Sequence, residues 1–146
     1  YFYNLIKSNK YSFIINTADQ IFSERIIKIS KYKIFNVHLS LLPKYAGVWT
    51  MFQQISEDEK FTGISIHKIN KNIDSGRIII QKKFMLNKKF SLFENQIKLY
   101  NHVPKLILKA IGKRFISKRN IIPKKIYKYP NKNDWKKFRL NNGKII

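Results

Sequence analysis

Two short runs of β-branched and aromatic side chains, Tyr11 to Asn16 and Lys33 to His38, constrain the fold more than any other stretch. Both read as buried strands. Between them Asp19 or Ser23 can cap a helix that has Glu24 in its first turn and directs Ile26, Ile27 and Ile29 inward. Strand, helix and strand in that order predict a βαβ unit and a parallel pair. The chain then leaves the second strand through Leu39 to Gly47, a loop punctuated by Pro43 and Gly47. Ligands of open α/β sheets bind at that carboxyl end.

Downstream, Trp49 to Ile55 reads as a helix and Glu57 to Lys60 as a polar turn. Thr62 to Ile69 alternates with period two, which predicts a strand with one face buried. A loop over Asn70 to Gly76 leads to a strand over Arg77 to Phe84, antiparallel to the one before it. Ser91 caps a helix running to about Ala110, with Leu92, Ile97, Leu99, Val103, Leu106 and Ile107 as its apolar members and a kink at Pro104. From Gly112 the periodicity is lost, apart from one short helix over Asp134 to Arg139. The expectation is an α/β fold with a mixed sheet and flanking helices over residues 1–112. A basic, irregular tail is expected over 113–146.

At 146 residues the chain is one domain or part of one, and 44% hydrophobic content with 14% aromatics supplies a core. The formal charge of +22 invites a nucleic-acid reading. However, the cations are almost all lysines, abundant alongside Ile and Asn, as a general compositional bias would produce. Tyr127, Tyr129, Trp135 and Phe138 interleave with Lys and Arg in the tail, as on a stacking surface. Aromatics in a tail more often pack back onto their domain, so a nucleic-acid partner is not expected. The absence of Cys excludes disulfides and thiolate metal sites and fits a cytoplasmic protein. No apolar run approaches the ~18 residues of a membrane span.

Asn36 and His38 are two residues apart, so their side chains share one side of the strand. A buried amide beside an imidazole is costly unless both are hydrogen-bonded or functional. Asp74 lies in the loop Ile73-Asp74-Ser75-Gly76. With Asn36 and His38 it completes a chemical set: an oxyanion donor, a proton carrier and a group that orients the carrier. Local spacing alone leaves Asp74 equally a turn aspartate and Ser40 a capping hydroxyl. His67 and His102 read as structural.

The segment Phe35 to Gly47, with its core Asn36-Val-His-Leu-Ser-Leu-Leu-Pro43, resembles the signature of the folate-dependent formyltransferases. Thr62 to His67 and Asn72 to Ile79 resemble that family's following strand and aspartate loop, in the same order. Leu39 stands where the family often has Pro, and Ala46 where it often has Arg. The resemblance implies the C-terminal part of a Rossmann-like catalytic domain, with the first βαβ units upstream of this chain. It implies 10-formyltetrahydrofolate as formyl donor and a primary amine as acceptor. Asn36, His38 and Asp74 would be catalytic. Asp19, Gln20, Ile21 and Phe22 would line the pterin pocket, with Ile73 closing its other side. Ser40 and Gly47 would shape the loop or contact the acceptor.

Three functions compete: an N-formyltransferase, an inactive remnant of one, and a basic nucleic-acid-binding module. For the acceptor, the short stretch after Gly112 points to a small amine, phosphorylated or nucleotide-linked, rather than to methionyl-tRNA.

Overall fold

The computed structural model describes residues 2–8, 11–31, 33–112 and 119–146. A leading helix α1 (Phe2–Lys7) precedes strand β1 (Ile14–Asn16), helix α2 (Glu24–Ile29) and strand β2 (Ile34–His38). The hydroxyl of Ser23 caps α2 by accepting from the Ile26 amide. Ile27 is the one residue of α2 that is buried, while Ile26 and Ile29 lie half-exposed at its margins. β1 and β2 pair in parallel, with Ile14 opposite Ile34 and Asn16 opposite Asn36. The βαβ unit is therefore as the alternation of runs predicts.

Strands β4 (Phe61–Lys68) and β5 (Ile78–Met85) extend this pair antiparallel to give a four-stranded mixed sheet ordered β1-β2-β4-β5. The expectation of one buried face on β4 needs correction. All six residues from Thr62 to His67 are buried. Ile64 and Ile66 enter the main core, while Ser65 on the opposite face is covered by the loop after β2. Its hydroxyl donates to the Ser40 carbonyl at 2.6 Å and accepts from the Leu42 amide at 3.1 Å. The period-two pattern separates apolar from polar cover, not core from solvent.

Helix α3 (Thr50–Ser56) is buried along its whole length and packs against the later helices. The single helix expected from Ser91 to Ala110 is two: α4 (Leu92–Tyr100) and α5 (Val103–Ala110). Pro104 falls in the first turn of α5, where its missing N–H costs nothing, so it starts a helix instead of kinking one. Ser91 and Glu94 close a reciprocal capping box on α4. Ile97, expected inward, is 58% exposed, because Leu92 and Leu99 define the buried stripe.

The tail is where expectation and structure differ most. Its described part carries strand β6 (Ile126–Tyr127) and helix α6 (Lys132–Leu140), the latter capped by an Asn131–Asp134 box. β6 pairs in parallel with β3 (Ala46–Gly47) in the loop after β2. On α6, Phe138 is fully buried and stacks on Phe52 at 4.4 Å between centroids, and Trp135 meets the same ring edge-on at 4.7 Å. Apolar side chains on one face of a basic helix thus complete the core. Residues 113–118, part of the expected tail, lie outside the described residues. Among the described residues no helix is long and apolar enough to cross a membrane.

Candidate active site

The carboxyl end of β2 presents Asn36 and His38 on one side of the sheet, and Asn16 ends β1 alongside. The Asn16 amide donates to Asn36 Oδ1 at 2.8 Å and to the Ala18 carbonyl at 2.6 Å. Asn36 Nδ2 in turn lies 3.4 Å from Asp74 Oδ1. His38 is buried, and its Nε2 lies 2.7 Å from the Tyr45 carbonyl. A carbonyl can only accept, so Nε2 carries hydrogen. The other nitrogen, Nδ1, stands 3.5 Å from Asp74 Oδ2. That gap exceeds a direct N–H···O bond and leaves Nδ1 available for a proton.

The loop Leu39 to Gly47 holds this geometry. The Ser40 hydroxyl donates back to the Lys44 carbonyl at 2.9 Å, so it shapes the loop and lines neither cleft described below. The Gly47 amide donates to Asp74 Oδ2 at 2.7 Å. Gly47 itself has φ +105°, and a side chain there would collide with the Tyr127 backbone of β6. Tyr45, Trp49 and Asp74 adopt left-handed φ of 55°, 56° and 44°, an outlay of strain concentrated at one place. Tyr45 stacks on Tyr127, and both hydroxyls donate to Glu57 at 3.0 Å. The backbone groups that touch His38 and Asp74 are therefore anchored by β6 from behind.

Burial lowers the pKa of His38 below its ordinary 6.5, against the pull of Asp74 and the Tyr45 carbonyl. Burial also opposes ionisation of Asp74. The His67 ring facing it, the nearby His38 and the Gly47 N–H outweigh that penalty and hold the carboxyl below its ordinary range. His67 lies on β4 directly across from Asn36. Its Nε2 is 3.3 Å from Asp74 Oδ1, a close approach rather than an aligned hydrogen bond, and its Nδ1 is 3.0 Å from the Lys68 carbonyl. Asp74 thus lies between two imidazoles, and the reading of His67 as merely structural is incomplete. No partner lies near it in sequence. The signal was its place on the polar face of a strand whose register could not be known in advance. Asn16 and the Tyr45 carbonyl were missed for the same reason.

Two clefts meet at Asn36. The first encloses about 180 Å3 and is lined by Asn36, His38, Gly47, Trp49, Phe93 and Tyr100 among others. The second opens beside His67 and Asp74, between Gln20, Ile21 and Phe22 on one wall and Asn70 to Ile73 on the other. Four of the five residues expected at a pterin pocket, Gln20, Ile21, Phe22 and Ile73, line this second cleft. Asp19 lines the first instead. Apolar walls at Ile21, Phe22, Ile69 and Ile73, with amides at Gln20, Asn70 and Asn72, fit a flat heterocycle edged with donors and acceptors.

The model of the formyl transferase family matches residues 9–111. A methionyl-tRNA formyltransferase of Prochlorococcus marinus (strain MIT 9515) is 33% identical over 101 residues, 69% of this chain and 31% of the relative. The crystal structure of the N-formyltransferase from Helicobacter canadensis with folinic acid and dTDP-3-aminofucose superposes with a TM-score of 0.66. Its identity is 28%, over 84% of this chain and 48% of that one. The formyltransferase PseJ from Anoxybacillus kamchatkensis shares the fold at a TM-score of 0.73 and 24% identity, over 87% and 69% of the two chains. The chain spans about a third of the length of the curated relatives it matches. With its polar set at the mouth of a mixed sheet, and with the family's model covering most of its length, the chain belongs to the formyl transferase family.

Proposed function

We propose that this chain carries the catalytic centre of an N-formyltransferase that moves the formyl group of 10-formyltetrahydrofolate to a primary amine. One observation carries the reading: Asn36 lines both clefts, with His38 on one side of it and Asp74 on the other. The folate occupies the second cleft, its pterin between the Ile21–Phe22 and Ile73 walls. The acceptor amine enters the first.

The amine nitrogen attacks the formyl carbon and a tetrahedral oxyanion forms. Asn36 Nδ2 donates to that oxygen. His38, kept neutral in the resting site by its burial, takes the amine's surplus proton at Nδ1 and becomes an imidazolium beside Asp74. The new charge helps hold the oxyanion. Collapse breaks the bond from carbon to N10, the proton passes from His38 to N10, and the ring returns to its starting state.

For the acceptor, the lining of the first cleft favours a small amine with an apolar ring face. Among the described residues, none that line it is Lys or Arg, although the chain carries 30 of them, and Asp19 is the one carboxylate. Trp49, Phe93 and Tyr100 stay 38–47% exposed around it. Such a surface receives a cationic amino sugar better than a phosphate, and any nucleotide or phosphate part would lie outside. Methionyl-tRNA is the second reading, favoured by the names of several relatives about a third identical to this chain.

The test is transfer of labelled formyl from 10-formyltetrahydrofolate to a panel of nucleotide-linked amino sugars, glycinamide ribonucleotide and methionyl-tRNA. Transfer to an amino sugar, lowered ~10²–10³-fold by Asn36→Ala, is expected. Transfer to none of them, or full activity in that variant, contradicts the reading.

A further inference from the structure

We propose that Asn16 is a positioning residue that fixes which end of the Asn36 amide faces the reacting centre. The inference rests on the reading of Asn36 as the oxyanion donor. An asparagine side chain can turn its oxygen or its nitrogen either way, and only the hydrogen-bond network decides. The network here starts from an acceptor that cannot be turned. The carbonyl of Ala18 is 2.6 Å from the Asn16 amide, so Asn16 must direct its NH2 group there. The second hydrogen of the same group points to Asn36 Oδ1 at 2.8 Å. Asn36 is thereby obliged to offer its oxygen to Asn16 and its NH2 to the other side, where Asp74 Oδ1 lies 3.4 Å away and both clefts open. The parallel register of β1 and β2 places the two amides level with each other. A turned Asn36 would present an oxygen lone pair to a developing oxyanion, and two acceptors would face each other across the reacting carbon.

The test is a reversal of polarity. Asn16→Asp keeps the size of the side chain but can only accept when ionised, so it draws the Asn36 NH2 toward residue 16. Asn16→Ser supplies a short hydroxyl that can still donate, and Asn16→Ala removes the bond and leaves Asn36 free to turn. The expected loss in kcat is about three- to tenfold for Asn16→Ala. For Asn16→Asp it is on the order of 10²-fold, as if the oxyanion donor itself were removed. Asn16→Ser stays between the wild type and Asn16→Ala. KM for the amine changes little in all three. In an Asn36→Ala background Asn16→Asp costs nothing further, whereas a general effect of the added negative charge would persist there.

Equal losses for Asn16→Asp and Asn16→Ala, or an undiminished loss in the Asn36→Ala background, overturn the proposal. The same orientation is read without turnover from the asparagine side-chain amide protons by NMR. The Asn36 pair shifts in Asn16→Asp as it moves from the Asp74 side to residue 16, and an unmoved pair overturns the proposal. Loss of the formyl-transfer reading itself shows separately, as a wild type that transfers nothing while its Asn36 resonances still respond to residue 16.

Discussion

At the scale of single residues, burial sets the protonation of His38 and so the pH response of the chain. The unfolded ring titrates near 6.5, whereas the folded ring takes up its proton only at lower pH. The unfolded state therefore binds more protons in the window below about 6.5, and stability falls as the pH drops through it. Asp74, held below its ordinary 3.8, adds a second loss that begins near that value and continues downward. Chemical denaturation at a series of mildly acidic pH values should show a falling midpoint that His38→Gln flattens in the upper window. An unaltered slope in that variant would contradict the account of the buried ring. In the proposed mechanism catalysis follows the same group: kcat/KM should decline on acidification with an apparent pKa under 6.5, since there the neutral ring accepts the amine's proton. The shared placement of Asn36 and His38 at one cleft was legible because they lie two residues apart on one strand. His67 was not, because its role depends on β4 lying beside β2 in a register that sets it opposite Asn36.

At the scale of elements, β3 does the positioning, and β6 holds β3. The residues at and beside β3 supply the Tyr45 carbonyl to His38 and the Gly47 amide to Asp74. Behind them the Val48 amide donates to the Tyr127 carbonyl at 3.1 Å, and Glu57 gathers the hydroxyls of Tyr45 and Tyr127. Replacing Tyr127 by Ala should lower kcat about tenfold, leave KM for both substrates within about twofold, and be partly rescued by Phe, which keeps the stack but not the hydroxyl. A rise in KM with unchanged kcat would place Tyr127 in substrate binding instead. Gly47→Ala should be worse than any single loss at Tyr127, since the new methyl group both meets the Tyr127 backbone and strains φ. Lower activity and a lower melting temperature together are expected, and a well-folded, fully active variant would contradict the close approach. Helices α2 and α3 and strands β1, β2, β4 and β5 were readable from periodicity and caps, whereas α1 and β3 were not predicted and α4 and α5 were read as one helix. β6 was not readable, because a two-residue strand has no pattern, and its partner lies in a loop some 80 residues earlier.

At the scale of the whole molecule, the C-terminal segment is joined to the rest by the β6–β3 pairing and, at the core, by an aromatic cluster. Phe52, Trp135 and Phe138 pack face to face and edge to face beneath Trp49, which lines the first cleft. Phe138→Ala should cost ~3–5 kcal/mol of stability by denaturant titration, as for other fully buried Phe residues. The 71%-exposed Leu140 should tolerate the same change within ~0.5 kcal/mol. Equal effects at the two positions would deny that α6 completes the core. The short helix and the inward packing of its aromatics were expected from the sequence, and two aromatics suffice to dock a helix of nine residues; that Phe52 receives them was not legible. All of these contacts converge on His38 and Asp74, which act as a single unit in the mechanism we propose. A double-mutant cycle on the rate of formyl transfer, with His38→Ala, Asp74→Ala and both together, tests that unit directly. The double variant should be no slower than the slower single one, because either loss disables the same proton path. Losses that multiply would mean that the two side chains act independently and would contradict the account.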